Sequence, residues 1–526
     1  MKDIKKFQQM VRDGRMDRRD FLAAMGALGV STAAATGFLH SSSALAATPR
    51  KGGTVRYANN LHGPDDQMDP IVFTSGIDYT RGRATYNGLV QVRDNMVLAP
   101  ELAEEWSANS NATEYTFKIR KGVEFHDGSP LTADDVVWSM NRHLGKDSPS
   151  VAKALFESVQ EWKKVDGTTV RAVLASPDSD LPAKLAEKQA KIVKMDTEDF
   201  RKGNGTGPFV LDSFEPGVRS THTRNPNYWR DGANFEALEI TAITDPLSRA
   251  NALIAGDVEL IAQVDSKSIS RVEEADGVRV ISTPTSAYTG ICILKNTAPG
   301  QNDDFVKAMQ YIQDRDRIVR SILKGHGTVG NDHPIGPAFG PDHCAELEQR
   351  AFDPDKAKFH LEKSGVTSAE LYVAPVRLGI EEICLLMQAN LKKIGFDLRV
   401  KKVPTDGYWG AVWMKEPMNV VSWNMRPTAN AQMAIQFAPG AAWNDTFWNN
   451  ERMGELLTAQ LAETDEAKRH GMLCEMQTLI HNGSGMVIPC HVNEVDGASN
   501  KIQGIPNVPL GALGAYEWVE FAWMDA

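Results

Sequence analysis

Residues 115–137 read Tyr115-Thr116-Phe117-Lys118-Ile119-Arg120-Lys121-Gly122-Val123-Glu124-Phe125-His126-Asp127-Gly128-Ser129-Pro130-Leu131-Thr132-Ala133-Asp134-Asp135-Val136-Val137. Tyr115, Phe117 and Ile119 alternate with Thr116, Lys118 and Arg120, the period of a strand with one buried face. Thr132 followed three positions later by Asp135 resembles a capping box, and Val136, Val137 and Met140 then share one face of a helix. Strand gives way to helix within one short segment, which marks an α/β or α+β chain.

The same alternation extends in both directions. Thr54 to Ala58 reads as an opening strand. Downstream, Asp303 or Asp304 caps a helix carrying Phe305, Met309 and Ile312. Asp353-Pro354 opens another that runs through Ala357 and Leu361 to Gly365, with proline in the first turn and glycine past the end. Strands are expected at 371–374, 396–403 and 419–424, so the C-terminal third reads as strand-helix-strand. At 526 residues the chain exceeds what one core organises, and two or three lobes are expected.

Apolar residues at 42% and charged residues at 24% are ordinary globular usage. Net charge is −11, and the first 46 residues carry seven Lys/Arg against four Asp/Glu, so the remainder is more acidic still. Such a surface repels phosphate backbones, and no basic stripe interleaved with aromatics offsets it, so nucleic acid is excluded as a partner. Five cysteines (Cys292, Cys344, Cys384, Cys474, Cys490) lack CxxC spacing, which argues against a zinc ribbon or thioredoxin-like site and leaves any disulfide unassigned.

The N-terminus carries Asp17-Arg18-Arg19-Asp20-Phe21-Leu22 and then an uncharged stretch to Leu39. This resembles a twin-arginine export signal, with Asp17 where Ser or Thr is usual and Ala23 where Lys is common. Gly26, Gly29, Ser31, Thr32, Thr36 and Gly37 make the stretch too weakly apolar for a membrane anchor. Ala44-Leu45-Ala46 fits the small-residue cleavage rule, so an exported mature chain is expected to begin near Ala47.

Gly325-His326-Gly327-Thr328-Val329-Gly330 matches GxGxxG, but Gly325 closes a helix, whereas a dinucleotide fingerprint must open one. His326, His333, His343 and Cys344 match no metal-site spacing and read as solvated residues of an irregular loop, so no metal and no cofactor are expected. No nucleophile elbow, zinc-protease motif or phosphate loop is present, and no catalytic residue is assigned. Trp409, Trp413, Trp423, Trp443 and Trp448 fall within a short stretch, where they serve equally as cleft walls or as core.

Several longer segments resemble the family 5 extracellular solute-binding proteins, the oligopeptide, dipeptide and nickel-binding group of the ABC import systems. They are Pro100-Glu101-Leu102-Ala103-Glu104-Glu105-Trp106, the 115–128 and 131–137 segments above, Gly205-Thr206-Gly207-Pro208-Phe209, Asn225-Pro226-Asn227-Tyr228-Trp229 and Asp353-Pro354-Asp355-Lys356-Ala357. The resemblance implies an α/β fold of the type II periplasmic binding protein kind, a Venus flytrap of two main lobes plus a small extra domain. Lobe I would comprise 47–90, 210–288 and 492–526, the extra domain 91–209 and lobe II 289–491. It also implies a monomeric, non-enzymatic periplasmic receptor that closes on a small molecule and delivers it to the transmembrane subunits of an ABC permease.

In dipeptide and oligopeptide binders an aspartate after the late-strand tryptophan meets the ligand's amine. Here Val421-Ser422-Trp423-Asn424-Met425-Arg426-Pro427 puts Arg426 at that place and reverses the charge. Two readings stand: Arg426 meets an anion of the ligand, or, preceding Pro427 in extended chain, it turns outward to solvent. Arg377 lies near the arginine that takes the ligand carboxylate. With both facing the cleft, an acidic or opine-like cargo fits better than a plain zwitterionic dipeptide. Trp423, Asn424, Tyr408, Trp409, Phe73 and Trp443 complete the expected ligand-binding set. An oligosaccharide or metal chelate is the alternative cargo, and a secreted hydrolase the alternative class.

Overall fold

The computed structural model describes residues 49–59, 66–377, 379–404 and 408–525; the expected export signal and the expected cleavage point lie outside the described residues. Gly52–Ala526 forms one unit by itself. Its backbone is a mixed α/β fold built on three main sheets.

The first has seven strands in the order Val278–Thr283, Glu494–Ser499, Leu260–Ile261, Thr54–Asn59, Ala237–Ala242, Arg219–Arg224 and Phe209–Glu215. Thr54–Asn59 pairs in parallel with both its neighbours, and the outer strands are antiparallel. The second has six strands, in the order Gly327–Val329, Met486–Val492, Tyr288–Ile293, Met418–Trp423, Ser368–Val373 and Asp397–Lys402. The third is an antiparallel sheet of Ala103–Ala108, Glu114–Ile119, Thr169–Leu174 and Val159–Asp166. The chain passes between the seven- and six-stranded sheets twice, after Thr283 and after Val492. Those two crossings are tied together: Thr285 Oγ1 donates to the Val492 carbonyl at 2.7 Å, and Val492 N donates to the Ala287 carbonyl at 2.8 Å.

Local rules explain most elements. Glu114–Ile119 buries Tyr115, Phe117 and Ile119 as its alternation requires. Thr132 and Asp135 form the reciprocal capping box of helix Ala133–Asn141. Asp353 caps helix Pro354–Ser364, which Gly365 ends in the left-handed conformation. One cap differs from expectation: Asn302, not Asp303 or Asp304, accepts from the first-turn amides of helix Asp303–Tyr311, and the two aspartates occupy its first turn. Both residue types serve as caps, so sequence spacing alone leaves the frame open by one or two residues.

Three of the segments that carry the family resemblance, those containing Glu101, Thr206 and Trp229, converge on one buried node. Asn87 donates to Glu101 Oε1 at 3.0 Å, and its Oδ1 accepts from Thr206 Oγ1 at 3.1 Å and Trp229 Nε1 at 3.0 Å. Glu101, fully buried, also accepts from Gly88 N at 2.8 Å and pairs with Arg83 and Arg230 at 3.5 and 3.7 Å. Burial pushes its pKa up, but Lys191, Arg83 and Arg230 pull it below the usual carboxylate value. Gly205 is required by close approach, since a Cβ there would lie 1.9 Å from the Thr85 carbonyl oxygen.

The histidine-rich loop departs from expectation. His326 and His333 are buried, not solvated, and only His343 is half-buried. The loop folds back over the six-stranded sheet because Asp332 is held from below, its Oδ1 accepting from Ile488 N at 3.0 Å. Glycine and proline spacing signals irregular backbone but not which face it covers. Cys344 and Cys474 form a disulfide, and Cys292, Cys384 and Cys490 are free and buried.

Candidate ligand cleft

A cleft of about 630 Å³ is bounded by residues from all three sheet regions. The extra-sheet side gives Val151, Leu155, Glu187, Lys188 and Gln189; the seven-stranded side gives Tyr79, Gln263, Glu494, Gly511 and Tyr516; the six-stranded side gives Arg377, Asn424, Arg426, Ile435 and Trp443. Away from the cavity the extra-sheet region also touches the helices of the six-stranded side. Ser179 N donates to the Leu461 carbonyl at 2.8 Å, and Arg469 pairs with Asp180 at 2.6 Å.

Four of the eight expected ligand-binding residues line this space: Arg377, Asn424, Arg426 and Trp443. Strand Met418–Trp423 ends just before the first turn of helix Ala429–Phe437, and the connecting residues 424–427 project into the opening. Arg377 is braced against that connection, with Nε donating to Ser422 Oγ at 2.6 Å and Nη2 donating to Asn424 Oδ1. Burial lowers its pKa, opposed by Glu494. Arg426 is held by its backbone, whose N–H donates to Gln432 Oε1 at 2.8 Å. Its Nε is buried with no hydrogen-bond partner. Burial lowers the Arg426 pKa too, with Glu187 as the opposing charge. Glu187 is itself engaged by Lys188 at 3.7 Å.

The other four lie elsewhere. Phe73 is fully buried, and its carbonyl accepts from Gln189 Nε2 at 2.8 Å, so it positions a lining residue without touching the cavity. Tyr408 is buried with its hydroxyl between Val420 O and Val420 N, at 2.8 and 3.0 Å. Trp423 is buried beneath Trp443, with ring centres 6.0 Å apart, and Trp409 is exposed outside the lining with its ring against Trp413. The alternation of strand Met418–Trp423 turns Trp423 inward, and the next residues meet the cleft instead.

Sequence reasoning missed Glu494, Tyr516, Tyr79 and Gln263. Glu494 begins the strand after the second sheet crossing; burial raises its pKa, and the charge of Arg377 opposes that rise. Behind it Asp496 is fully buried, accepting from Gln263 N at 2.9 Å and Leu513 N at 2.6 Å. No local pattern identifies these residues, because sheet topology alone brings them to the opening.

The tryptophan wall rests on Asp445. This buried carboxylate accepts from Trp423 Nε1 at 3.0 Å and Trp413 Nε1 at 3.4 Å, and burial pushes its pKa up from 3.8 to about 6. The folded protein therefore holds a proton between pH 4 and 6 that the unfolded chain has released. Its stabilising contribution is complete below the unfolded pKa and is lost as pH rises through 6. Asp445→Asn, which keeps an acceptor for both indoles, is expected to flatten this loss. Above pH 6 it should be more stable than the parent by up to about 3 kcal/mol. Denaturant midpoints of both proteins from pH 4 to 8 read this out; parallel curves would show that Asp445 does not titrate in that window.

A sequence model of the bacterial extracellular solute-binding proteins, family 5 Middle, matches residues 97–445. Haem-binding protein A of Haemophilus influenzae is 24% identical over 491 residues, covering 84% of this chain and 88% of its own length. The dipeptide-binding protein of Escherichia coli is 24% identical over 500 residues, covering 85% and 91%. Among solved structures, HbpA2 from Haemophilus parasuis superposes with a TM-score of 0.78 at 21% identity, over 90% of this chain and all of that one. The family is one of binding proteins, and no helix among the described residues is long and apolar enough to cross a membrane. The span of the family match, together with a cleft bounded by all three sheet regions and the buried node made by three of the signature segments, places this chain among the family 5 bacterial extracellular solute-binding proteins.

Proposed function

We propose that this protein is an exported periplasmic receptor of an ABC import system, and that it captures a polar, anionic, peptide-sized molecule without transforming it. The observation that carries the anionic reading is Arg426, which lines the cleft with its Nε buried and unpartnered. A buried guanidinium donor without an acceptor is costly, and a ligand carboxylate or phosphate relieves that cost. Arg377 stands beside it, already oriented by Ser422 and Asn424. The dipeptide-binding relative supports a peptide-like scale for the cargo.

In this reading lobe I comprises 47–90, 210–288 and 492–526, the extra domain 91–209 and lobe II 289–491. The paired crossings near Thr285 and Val492 serve as the hinge. Export runs through the twin-arginine signal with cleavage near Ala46, and the closed monomer is what the permease subunits recognise. A thermal-shift screen of the mature protein against free, N-acetylated and acidic dipeptides, opines, acidic sugars and metal chelates tests it. At a concentration of a hundred times its Kd, a true ligand should raise stability by about 2.7 kcal/mol. Hits confined to neutral or cationic compounds would overturn the anionic reading.

A further inference from the structure

The strongest unassigned chemistry lies away from the cleft, where loop residues 341–346 meet helix Glu466–Gly483. His470 and Cys474, four positions apart, share a face of that helix. Cys474 Sγ is 3.4 Å from His470 Nε2, and Glu346 Oε2 is 3.6 Å from Cys344 Sγ, 3.7 Å from Cys474 Sγ and 3.6 Å from His470 Nε2. A tetrahedral zinc site with two sulfurs, one nitrogen and one oxygen has donor–donor separations of about 3.3–3.8 Å. Each of these four separations falls in that range. The two sulfurs are closer, because they are bonded to each other.

The histidine is oriented as a metal ligand would be. Its Nδ1 lies 2.8 Å from the Pro341 carbonyl oxygen, so Nδ1 carries the proton and donates there, which leaves Nε2 free to face the sulfur and carboxylate. A lone pair aimed at a carboxylate oxygen is unfavourable unless a proton or a metal cation lies between them. Cys344 is buried, Cys474 and His470 are half-buried and Glu346 is exposed, so the cluster has both a dry side and an entry path.

We propose that the reduced protein binds one Zn²⁺, or a divalent cation of similar character, through Cys344 Sγ, Cys474 Sγ, His470 Nε2 and Glu346 Oε2, and that the Cys344–Cys474 disulfide is the oxidised alternative of the same site. A dithiol reductant delivers two electrons and two protons: the S–S bond breaks, two thiols form and the dithiol becomes a disulfide. Cation binding then displaces both thiol protons. In the reverse direction a disulfide oxidant takes two electrons from the thiolates, the S–S bond re-forms, the oxidant leaves as two thiolates and the cation is released. In either state the loop stays joined to the helix, in a reducing compartment by the metal and in an oxidising one by the disulfide.

The test uses the full chain, reduced without air by a phosphine, with Co²⁺ as the spectroscopic probe. One equivalent should produce a thiolate-to-cobalt charge-transfer band and the intense visible bands of a tetrahedral site, and Zn²⁺ should abolish both. The oxidised protein should give neither. His470→Ala should weaken Zn²⁺ binding by more than the roughly tenfold that loss of even an outer-shell partner costs, and should shift the visible bands. Glu346→Gln should weaken it as well. Both side chains are at the surface, so circular dichroism should report an unchanged fold. Absence of the charge-transfer band in the reduced protein, spectra and affinity unaltered by His470→Ala, or bands that persist in a Cys344→Ser/Cys474→Ser double variant would each overturn the proposal, the last by placing the metal on the buried thiols.

Discussion

Arg426→Ala should bind the tightest ligand found in the thermal-shift screen about 30-fold to several thousand-fold more weakly than the parent, a loss of about 2–5 kcal/mol. The reason is that the truncation leaves the ligand's anion shut in the cleft without its charged partner, while the backbone anchor to Gln432 remains. Arg426→Lys keeps the charge but not the planar fork, so it should recover only part of the loss. Arg426→Asp should do worse than alanine for an anion and favour ligands with a free amine. Calorimetry decides the matter: binding by Arg426→Ala within about twofold of the parent would mean that the guanidinium does not meet the ligand.

Asp332→Ala should be the most damaging single change to the fold, lowering stability by about 3–5 kcal/mol in urea unfolding. Asp332 Oδ2 accepts from Arg315 Nη2 at 2.6 Å and from Arg350 Nη1, and all three side chains are buried. Alanine leaves two guanidinium groups in the interior without a counter-charge. Asp332 also has a left-handed backbone, with φ of 56°, which asparagine tolerates far better than most residues. Asp332→Asn therefore keeps the conformation but only one of the two acceptor oxygens, so an amide oxygen turned to the arginines leaves an NH2 facing Ile488 N, and its loss, smaller than that of alanine, combines the missing charge with one missing acceptor. An alanine variant within about 1 kcal/mol of the parent would show that water reaches the two arginines.

The secondary structure was legible wherever a local rule sufficed. The alternation at Tyr115, Phe117 and Ile119, the Thr132 box and the Asp353-Pro354 cap each involve residues within a few positions of one another. Rules of that range act before any tertiary contact forms. The cap at Asn302 lay just beyond them, because three adjacent residues could each accept from the first-turn amides. Around the cleft, Arg426 stood out by its reversal of charge, and the short stretch from Ser422 onward brought Asn424 with it.

What the sequence determined by itself was the family, through segments of which three, those with Glu101, Thr206 and Trp229, meet at Asn87, and with the family a cleft between lobes. What only the tertiary structure decided was which side chains face that cleft. Phe73 and Tyr408 are aromatic like Trp443, but one packs behind Gln189 and the other pins Val420, whereas Trp443 stands in the opening. Glu494 reaches it because the chain crosses between sheets at Asn493, and Cys344 finds Cys474 across 130 positions. The physical reason is range: helix caps and strand alternation are set by neighbours in the chain, whereas facing a cleft or meeting a distant cysteine depends on how whole sheets and helices pack, which no local pattern encodes.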